Sequence, residues 1–241
     1  MRISKHQVNP ALLIIDMQNG FVSKGGSYDL MGIEVSKYQK IIPNLQELIQ
    51  LCRVAKIPIF YTQAVREGTG IDLLTRTHKI LPKSREERIK TRPICVRGTW
   101  DANIIDEISP SKQDHIVIKR RDSAFQDTEI EVWLRSFGID TIIFAGIDTS
   151  ICVESSLRDA FNHGYDVILI SDATSSMNKN YYSTTENVRE YYGLVMTLDE
   201  LKATLSYETP RVRKQTSIIN LWSTNFFPLG LSTHKSGLHN I

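Results

Sequence analysis

Cysteine is scarce in this sequence. The 241 residues contain three cysteines, Cys52, Cys95 and Cys152, and the N-terminus lacks the apolar core of a secretory signal. A small, odd number of cysteines does not suit a disulfide framework, so we expect a protein of the reducing cytoplasm. No apolar run approaches the roughly 18 residues of a transmembrane helix, which argues against a membrane partner.

An excess of one charge is also missing. The chain has 29 Lys and Arg against 27 Asp and Glu, a net charge of +2, which is too small to favour nucleic acid or a membrane surface as a partner. No C-x-x-C, H-E-x-x-H or glycine-rich phosphate loop occurs, so we expect no metal and no cofactor. The first apolar run lacks a G-x-G-x-x-G turn, which disfavours a dinucleotide- or flavin-binding protein.

Short apolar runs are what the sequence does contain. They do not alternate with polar residues, as is typical of strands covered on both faces in a parallel sheet. The runs predicted as strands are Ala11–Ile15, Pro58–Thr62, His115–Ile118, Thr141–Ala145, Val167–Ile170 and Leu194–Met196. Helical patterns lie between them. The predicted fold class is therefore α/β, with three α/β/α layers and a doubly wound, mainly parallel six-stranded sheet.

Capping and stop residues set the expected helix bounds. The predicted helices are about Ser36–Ala55, Thr128–Phe137, a helix that carries Cys152 and ends at Gly164, and Leu198–Leu205. The first could instead begin at Pro43, since proline fits a first helical turn. Asp127 is the predicted N-cap of the second helix, and Ser150 or Thr149 that of the third.

One domain is predicted over residues 1–206. Its polar, arginine-rich connection over residues 64–97 is long, and such connections in compact domains are functional or disordered. Residues 207–241 hold aromatic side chains, Trp222, Phe226 and Phe227, among Ser, Thr and Asn. We interpret this segment as a C-terminal arm that packs on the domain or on a neighbouring subunit, with a disordered tail as the alternative.

Three reactive side chains follow predicted strands. Asp16 ends the first strand, Lys119 ends the third and Cys152 follows the fourth, and ligands of open parallel sheets collect at these carboxyl ends. Cys152 lies where a strand turns into a helix, whose positive N-terminus favours loss of the thiol proton. Lys119 would favour the thiolate as well, and Asp16 could accept its proton and return it to a leaving amine. The set predicts an activated nucleophile.

Each of these residues has an ordinary interpretation when taken alone. Asp16 could be a turn residue, Lys119 a solvated strand end and Cys152 a small buried hydrophobe. Cys52 and Cys95 are interpreted as such packing residues. Only the joint placement at strand ends favours chemistry.

Three segments resemble one family. They are ALLIIDMQNGF (11–21), VIKRRDSAF (117–125) and GIDTSICVESSLRDAFNHGYDVILISDATSS (146–176). Over about residues 8–203 the chain resembles the isochorismatase-like cysteine hydrolase superfamily. The resemblance implies a catalytic triad of Asp16, Lys119 and Cys152. It also implies a cis peptide between Ile147 and Asp148, and an oxyanion hole made of the backbone N–H groups of Asp148 and Cys152.

One residue departs from the family pattern. Members commonly carry a small residue, often Ala, where this chain has Asp148. A carboxylate pointing into an oxyanion hole would repel developing negative charge. We therefore expect its side chain to point away, toward a basic group.

Within the family, the resemblance is to ureidoacrylate and N-carbamoyl amidohydrolases. Nicotinamidases carry a metal-binding Asp-x-His after the second strand, where this chain has Thr62-Gln63-Ala64-Val65, and true isochorismatases do not use the cysteine. The implied activity is hydrolysis of a C–N bond in a small ureido or carbamoyl acid or amide, through a covalent enzyme intermediate. The candidate substrate-binding residues are Gln63, Arg92, Arg97, Trp100, Arg121 and Phe125.

Other functions stay open at this point. Asp148 and the aromatic tail would also suit a catalytically silent member that acts as a scaffold or binding protein. A nicotinamidase-like amidase without the metal site is a further alternative. Family members are often dimers or tetramers, so we expect a homo-oligomer whose only other partner is a small-molecule substrate.

Overall fold

The computed structural model describes residues 8–83, 85–87, 94–178 and 180–206. Arg92 and the predicted arm over residues 207–241 lie outside these described residues. The predicted boundary between the domain and the arm therefore stays a prediction.

A parallel sheet forms the centre of the described chain. Its strands are β1 Pro10–Ile15, β2 Ile59–Ala64, β3 His115–Lys119, β4 Thr141–Ile147, β5 Asp166–Ser175 and β6 Leu194–Met196. Within the described residues the sheet has six strands in the order β3-β2-β1-β4-β5-β6, and every paired strand is parallel to its neighbour. The predicted fold class is confirmed.

Helices cover both faces of this sheet. Their bounds are α1 Asn19–Val22, α2 Ser27–Leu30, α3 Ser36–Gln39, α4 Ile42–Val54, α5 Leu74–Thr77, α6 Ile130–Ser136, α7 Glu154–Asn162, α8 Asn180–Tyr191 and α9 Leu198–Ser206. Short 3₁₀ turns cover Trp100–Ala102 and Asp106–Ile108. In the described part of the chain, none of the helices has both the length and the apolarity to cross a bilayer.

Strand β1 divides the core into two halves because successive side chains of a strand point to opposite faces. Leu12 and Ile14 pack on one side with residues of α4 and α9. Leu13 and Ile15 pack on the other side with residues of α6, α7 and α8. All four side chains are at most 1% exposed, which explains why the strand is apolar throughout.

Strand order reverses next to β1. The chain runs outward from β1 through β2 to β3, and then returns to place β4 on the opposite side of β1. The crossovers that follow β1 and β4 therefore leave the sheet in opposite directions and open a crevice between them. Ligands of doubly wound folds bind in this crevice.

The observed helices differ from the predicted ones in three places. The first predicted helix is divided into α3 and α4, and α4 has Pro43 in its first turn, so the alternative start at Pro43 is the correct one. Asp127 does not cap α6, which begins at Ile130. Its φ of +56° lies in the left-handed region, and Thr128 and Glu129 separate it from the helix. Helix α8 was not predicted, since its exposed face carries tyrosines and its apolar pattern is weak.

Gly146 is required where β4 passes β1. Its φ is +102°, and a Cβ built there would lie 2.3 Å from the backbone oxygen of Ile15. No side chain fits such a contact, so the close approach of the two strand ends depends on glycine. The pairing of β4 with β5 also shifts register at this residue.

We expect Gly146→Ala to destabilise the protein more than Gly164→Ala. Both glycines have positive φ, but a Cβ at Gly164 meets nothing within 4 Å. Gly164→Ala should therefore cost the conformational term alone, about 1–2 kcal/mol. Gly146→Ala should add an overpacking cost of about 1–3 kcal/mol. Chemical denaturation of both variants measures the difference, and equal losses would contradict the proposed close contact.

Candidate active site

A buried ion pair lies at the carboxyl edge of the sheet. Asp16 follows β1, and its Oδ2 is 2.8 Å from Nζ of Lys119, the last residue of β3. The two side chains are 3% and 0% exposed. An isolated charge of either sign would be costly at such depth, so each group depends on the other.

Lys119 reaches Asp16 across an intervening strand. The strands that end at Asp16 and Lys119 are not adjacent, because β2 lies between β1 and β3. The register places Lys119 beside Ala64 at the end of β2, and this small residue leaves room for the long lysine side chain to cross. Lys119 therefore joins the site through the length of its side chain.

The Lys119 ammonium has three acceptors for its three protons. Besides the Asp16 carboxylate, it donates to the carbonyl oxygens of Arg121 at 3.0 Å and of Asp122 at 2.9 Å. Burial alone would lower the pKa of Lys119, but the charge of Asp16 raises it above its usual value. The lysine is therefore a permanent cation in the site.

Thr62 fixes the other oxygen of Asp16. The Thr62 hydroxyl donates to Asp16 Oδ1 at 2.6 Å and accepts from the Asp16 backbone N–H at 3.0 Å. Asp16 itself has a φ of +51°, a conformation that Asp tolerates better than most residues. The carboxylate is thus held by Thr62 on one side and by Lys119 on the other. The sequence analysis missed Thr62, although a polar residue at the end of the apolar β2 run was a usable signal.

Cys152 lies in a π-helical turn, Thr149–Val153, between β4 and α7. Such turns are rare and occur frequently at functional sites. Burial raises the pKa of the Cys152 thiol, and the neighbouring Asp16 and Asp122 carboxylates raise it further, whereas Lys119 lowers it. The net direction is upward, so the site disfavours the thiolate.

Burial is the largest influence on this thiol. The predicted helix N-terminus and Lys119 are both present, but the cost of burying a thiolate outweighs them. The Asp16 carboxylate neighbours this thiol and is a group able to accept its proton.

Asp148 caps the turn that carries Cys152. The peptide bond between Ile147 and Asp148 is cis, and the Asp148 carboxylate accepts a hydrogen bond from the Ser150 backbone N–H. Asp148 is therefore the cap in place of the predicted Ser150 or Thr149. The expectation of a basic partner is wrong, because its oxygens are occupied by the hydroxyl groups of Tyr38, Ser150 and Ser176 and by backbone N–H groups.

A cavity opens above these residues. It is lined by Asp16, Lys119, Cys152 and Asp148, and its aromatic wall consists of Phe21, Tyr28 and Tyr38. The predicted functional connection after β2 supplies Arg66, Leu73, Leu74, Arg85 and Ile94. The lining is thus mixed, with apolar, cationic and acidic side chains.

The arginines of the cavity differ in their partners. Arg85 forms a salt bridge with Asp122. Arg121 donates to the carbonyl oxygens of Asp72 and Arg120, and Arg66 donates to that of Val65. Within the described residues, neither Arg66 nor Arg121 forms a salt bridge with a carboxylate. Both can therefore receive a carboxylate from a ligand.

The structure places several predicted substrate-binding residues away from the cavity lining. Arg121 lies in the lining, and Arg92 lies outside the described residues. Arg97 is ion-paired with Glu67 and half exposed, Gln63 donates to the Ala102 carbonyl, and Trp100 is 52% exposed. Phe125 stacks on His163 and packs with the second core half.

Other lining residues were missed by sequence reasoning. Phe21 lies inside the first family-like segment and could have been selected on that ground. Tyr28, Tyr38 and Arg66 carry no local signal, because their approach to the cavity depends on how the connections after β1 and β2 fold back. In the described ranges, no group of three His, Cys, Asp or Glu side chains is placed to hold a metal ion.

The fold and this arrangement define a hydrolase of the isochorismatase-like class, which confirms the prediction made from the sequence. The isochorismatase domain model matches residues 10–200, and the chain belongs to the isochorismatase family.

Individual relatives share most of the chain. The ureidoacrylate amidohydrolase RutB of Rhizobium rhizogenes is 31% identical over 209 residues, which cover 83% of this chain and 85% of that protein. An isochorismatase family protein from Desulfovibrio vulgaris has a TM-score of 0.71 at 28% identity, covering 83% of this chain and 99% of that one. N-carbamoylsarcosine amidase from Thermoplasma acidophilum has a TM-score of 0.62 at 27% identity, covering 80% and 98%.

We expect Asp16→Asn to increase the rate at which iodoacetamide alkylates Cys152. The substitution removes a negative charge that raises the thiol pKa, so the thiolate fraction at a fixed pH increases. A neighbouring charge changes a pKa by about 1 or more, which corresponds to about tenfold faster alkylation below the pKa. Mass spectrometry of the Cys152 peptide over a pH series gives the rate.

The matched control is Asp114→Asn, since Asp114 pairs with Arg53 away from the cavity. It should leave the alkylation rate unchanged. A slower or unaltered rate in Asp16→Asn would show that this carboxylate does not hold the thiol in its protonated form.

Proposed function

We propose that this hydrolase is a cysteine-dependent amidohydrolase that cleaves a C–N bond of a small ureido or carbamoyl acid or amide. The observation that carries the proposal is the convergence of Asp16, Lys119 and Cys152 in one cavity, with two arginines free of carboxylate partners among the described residues. The named relatives support the substrate class, since RutB is a ureidoacrylate amidohydrolase and the Thermoplasma protein an N-carbamoylsarcosine amidase.

Attack begins with a proton transfer. Asp16 takes the proton from the Cys152 thiol as the sulfur bonds to the amide or carbamoyl carbon of the substrate. Lys119 Nζ lies 2.8 Å from Asp16 Oδ2, so the carboxylate that takes the proton is held next to a positive charge. The protonated Asp16 then gives the proton to the nitrogen of the breaking C–N bond, and ammonia or an amine leaves.

Water completes the reaction. Asp16, again a carboxylate, takes a proton from a water molecule whose oxygen attacks the acyl or carbamoyl carbon bonded to sulfur. The carbon–sulfur bond breaks, and the proton returns from Asp16 to the sulfur of Cys152. The thiol and the carboxylate are then in their starting states.

The negative charge that develops on the substrate oxygen requires donors. Backbone N–H groups of Asp148 and Cys152 form the proposed oxyanion hole. Losing one such donor costs about 3–4 kcal/mol of transition-state stabilisation in well-studied hydrolases. The Asp148 carboxylate does not oppose this role, because its oxygens are turned to other donors.

Arg66 and Arg121 are the proposed recognition residues for a substrate carboxylate. Arginine binds a carboxylate through two parallel hydrogen bonds and keeps its charge at any physiological pH. The carbonyl contacts of Arg121 hold its guanidinium at the cavity wall without neutralising it. A ureido acid would then extend from the arginines to the sulfur of Cys152.

We expect Cys152→Ala and Cys152→Ser to lower the turnover of such substrates by at least about 10³-fold, because no other group in the cavity replaces the nucleophile. The measurement is ammonia release from ureidoacrylate, N-carbamoyl amino acids, biuret, simple amides and nicotinamide. Rapid quenching of the wild-type protein should capture an acyl or carbamoyl adduct on the peptide that contains Cys152.

Cys52→Ala is the control, since Cys52 is a packing residue of the first core half. It should keep turnover even if it lowers the melting temperature. Retained turnover in Cys152→Ala would contradict the covalent mechanism. Absence of turnover on every compound by the folded wild-type protein would instead favour the scaffold or binding role. Slow alkylation at neutral pH does not separate the two, because the thiol is protonated in either case.

We expect Arg121→Gln to raise KM for a carboxylate-bearing substrate while leaving KM for its neutral carboxamide analogue nearly unchanged. A hydrogen bond to a charged group contributes about 1.5–3 kcal/mol, which corresponds to about 10- to 100-fold in affinity. Steady-state kinetics with both compounds gives the ratio.

Arg97→Gln is the matched comparison, because Arg97 pairs with Glu67 on the outer side of the same connection. It should not change KM for either compound. An equal rise of KM for the acid and the carboxamide in Arg121→Gln would point to general damage of the pocket. A rise of KM confined to Arg97→Gln would favour Arg97, which the sequence also proposed, over Arg121.

A further inference from the structure

The Asp148 carboxylate is saturated with hydrogen bonds. Oδ1 accepts from the Ser150 backbone N–H at 2.9 Å, the Ser150 hydroxyl at 2.9 Å and the Ser176 hydroxyl at 2.6 Å. Oδ2 accepts from the Tyr38 hydroxyl at 2.7 Å and the Met177 backbone N–H at 2.9 Å. A carboxylate has about four lone-pair positions, so nothing is left to bind a cationic group of a substrate.

The backbone of Asp148 anchors the same turn. Its carbonyl oxygen accepts from the N–H groups of Ile151 at 3.0 Å and Val153 at 3.1 Å, the two residues that flank Cys152. The Ser150 N–H donates to the carboxylate, so three N–H groups of the Thr149–Val153 turn donate to Asp148. The position of the Cys152 backbone therefore depends on the position of Asp148.

Three separate segments meet at this carboxylate. Tyr38 belongs to α3, Ser176 and Met177 follow β5, and Ser150 belongs to the Thr149–Val153 turn. Tyr38 is 1% exposed and also lines the cavity. Its hydroxyl would lose its acceptor, Oδ2, if the carboxylate were absent, and the Ser176 hydroxyl would lose the other oxygen, Oδ1. The three segments are therefore connected through one carboxylate.

We propose that Asp148 is a positioning residue whose carboxylate fixes the backbone N–H groups of the oxyanion hole through the Tyr38, Ser176 and Met177 contacts. This inference rests on the proposed amidohydrolase function and deepens it. Charge on the substrate oxygen is stabilised best by donors that are already in place before the reaction. The hydrogen bonds from three segments supply that fixed geometry, and they also disperse the negative charge of Asp148.

The test compares catalysis with the chemical reactivity of the same thiol. Asp148→Ala should lower kcat by about 10²–10³-fold, the loss typical of a displaced oxyanion donor, with KM within about twofold. Alkylation of Cys152 by iodoacetamide should be unchanged, because displacement of iodide develops no oxyanion. A merely structural role would change kcat, KM and alkylation together.

A double variant, Tyr38→Phe with Ser176→Ala, covers the case in which Asp148→Ala fails to fold. It removes one donor from each oxygen and leaves the carboxylate, so kcat should fall by a smaller factor, again without a change in alkylation. Asp172→Asn is the matched control, since that carboxylate caps α9 through the Leu198 N–H far from the turn. It should leave kcat unaltered.

An unchanged kcat in Asp148→Ala, or a parallel loss of kcat and alkylation, would overturn the proposal. Hydrogen exchange of residues 149–153 gives a readout that needs no substrate, and it should quicken in Asp148→Ala while β4 is unaffected. If the wild-type protein hydrolysed none of the compounds, the proposed function would fail, and unchanged exchange would separately refute the positioning role of Asp148.

Discussion

The buried pair of Asp16 and Lys119 is the interaction on which the rest of the site depends. Neither charge could exist alone at this depth, and the desolvation penalty is offset only when all hydrogen-bonding positions are filled. Thr62 fills one oxygen of Asp16, and the carbonyls of Arg121 and Asp122 fill the ammonium of Lys119. The ends of β1, β2 and β3 and the loop after β3 are thereby locked in one arrangement. Cys152 follows β4, on the other side of β1 from β2 and β3.

The position of Cys152 depends on different contacts. Gly146 lets β4 approach the end of β1 more closely than any other residue would permit, and Asp148 gathers the N–H groups of the following turn. The close contact between Gly146 and Ile15 and the hydrogen-bonded cap at Asp148 thus place the sulfur near Asp16. The ion pair determines the electrostatics of the site, whereas the contact between β1 and β4 and the Asp148 cap determine its geometry.

Local patterns predicted the parts of the site that depend on strand ends. Asp16, Lys119 and Cys152 follow apolar runs, and all three line the same cavity. The pocket wall could not be predicted in this way. Arg66 and Arg97 lie in one polar connection and become neighbours when the Arg97 N–H donates to the Arg66 carbonyl. One side chain then lines the cavity and the other pairs with Glu67, and that choice depends on contacts distant in sequence.

The raised pKa of the Cys152 thiol has a consequence for its oxidation in the absence of substrate. Hydrogen peroxide and other soft electrophiles attack thiolates, and thiols held in protonated form oxidise slowly. Burial and the carboxylates of Asp16 and Asp122 raise the pKa of this thiol, which lowers the fraction present as thiolate. The groups that raise the pKa of Cys152 should therefore also slow its oxidation.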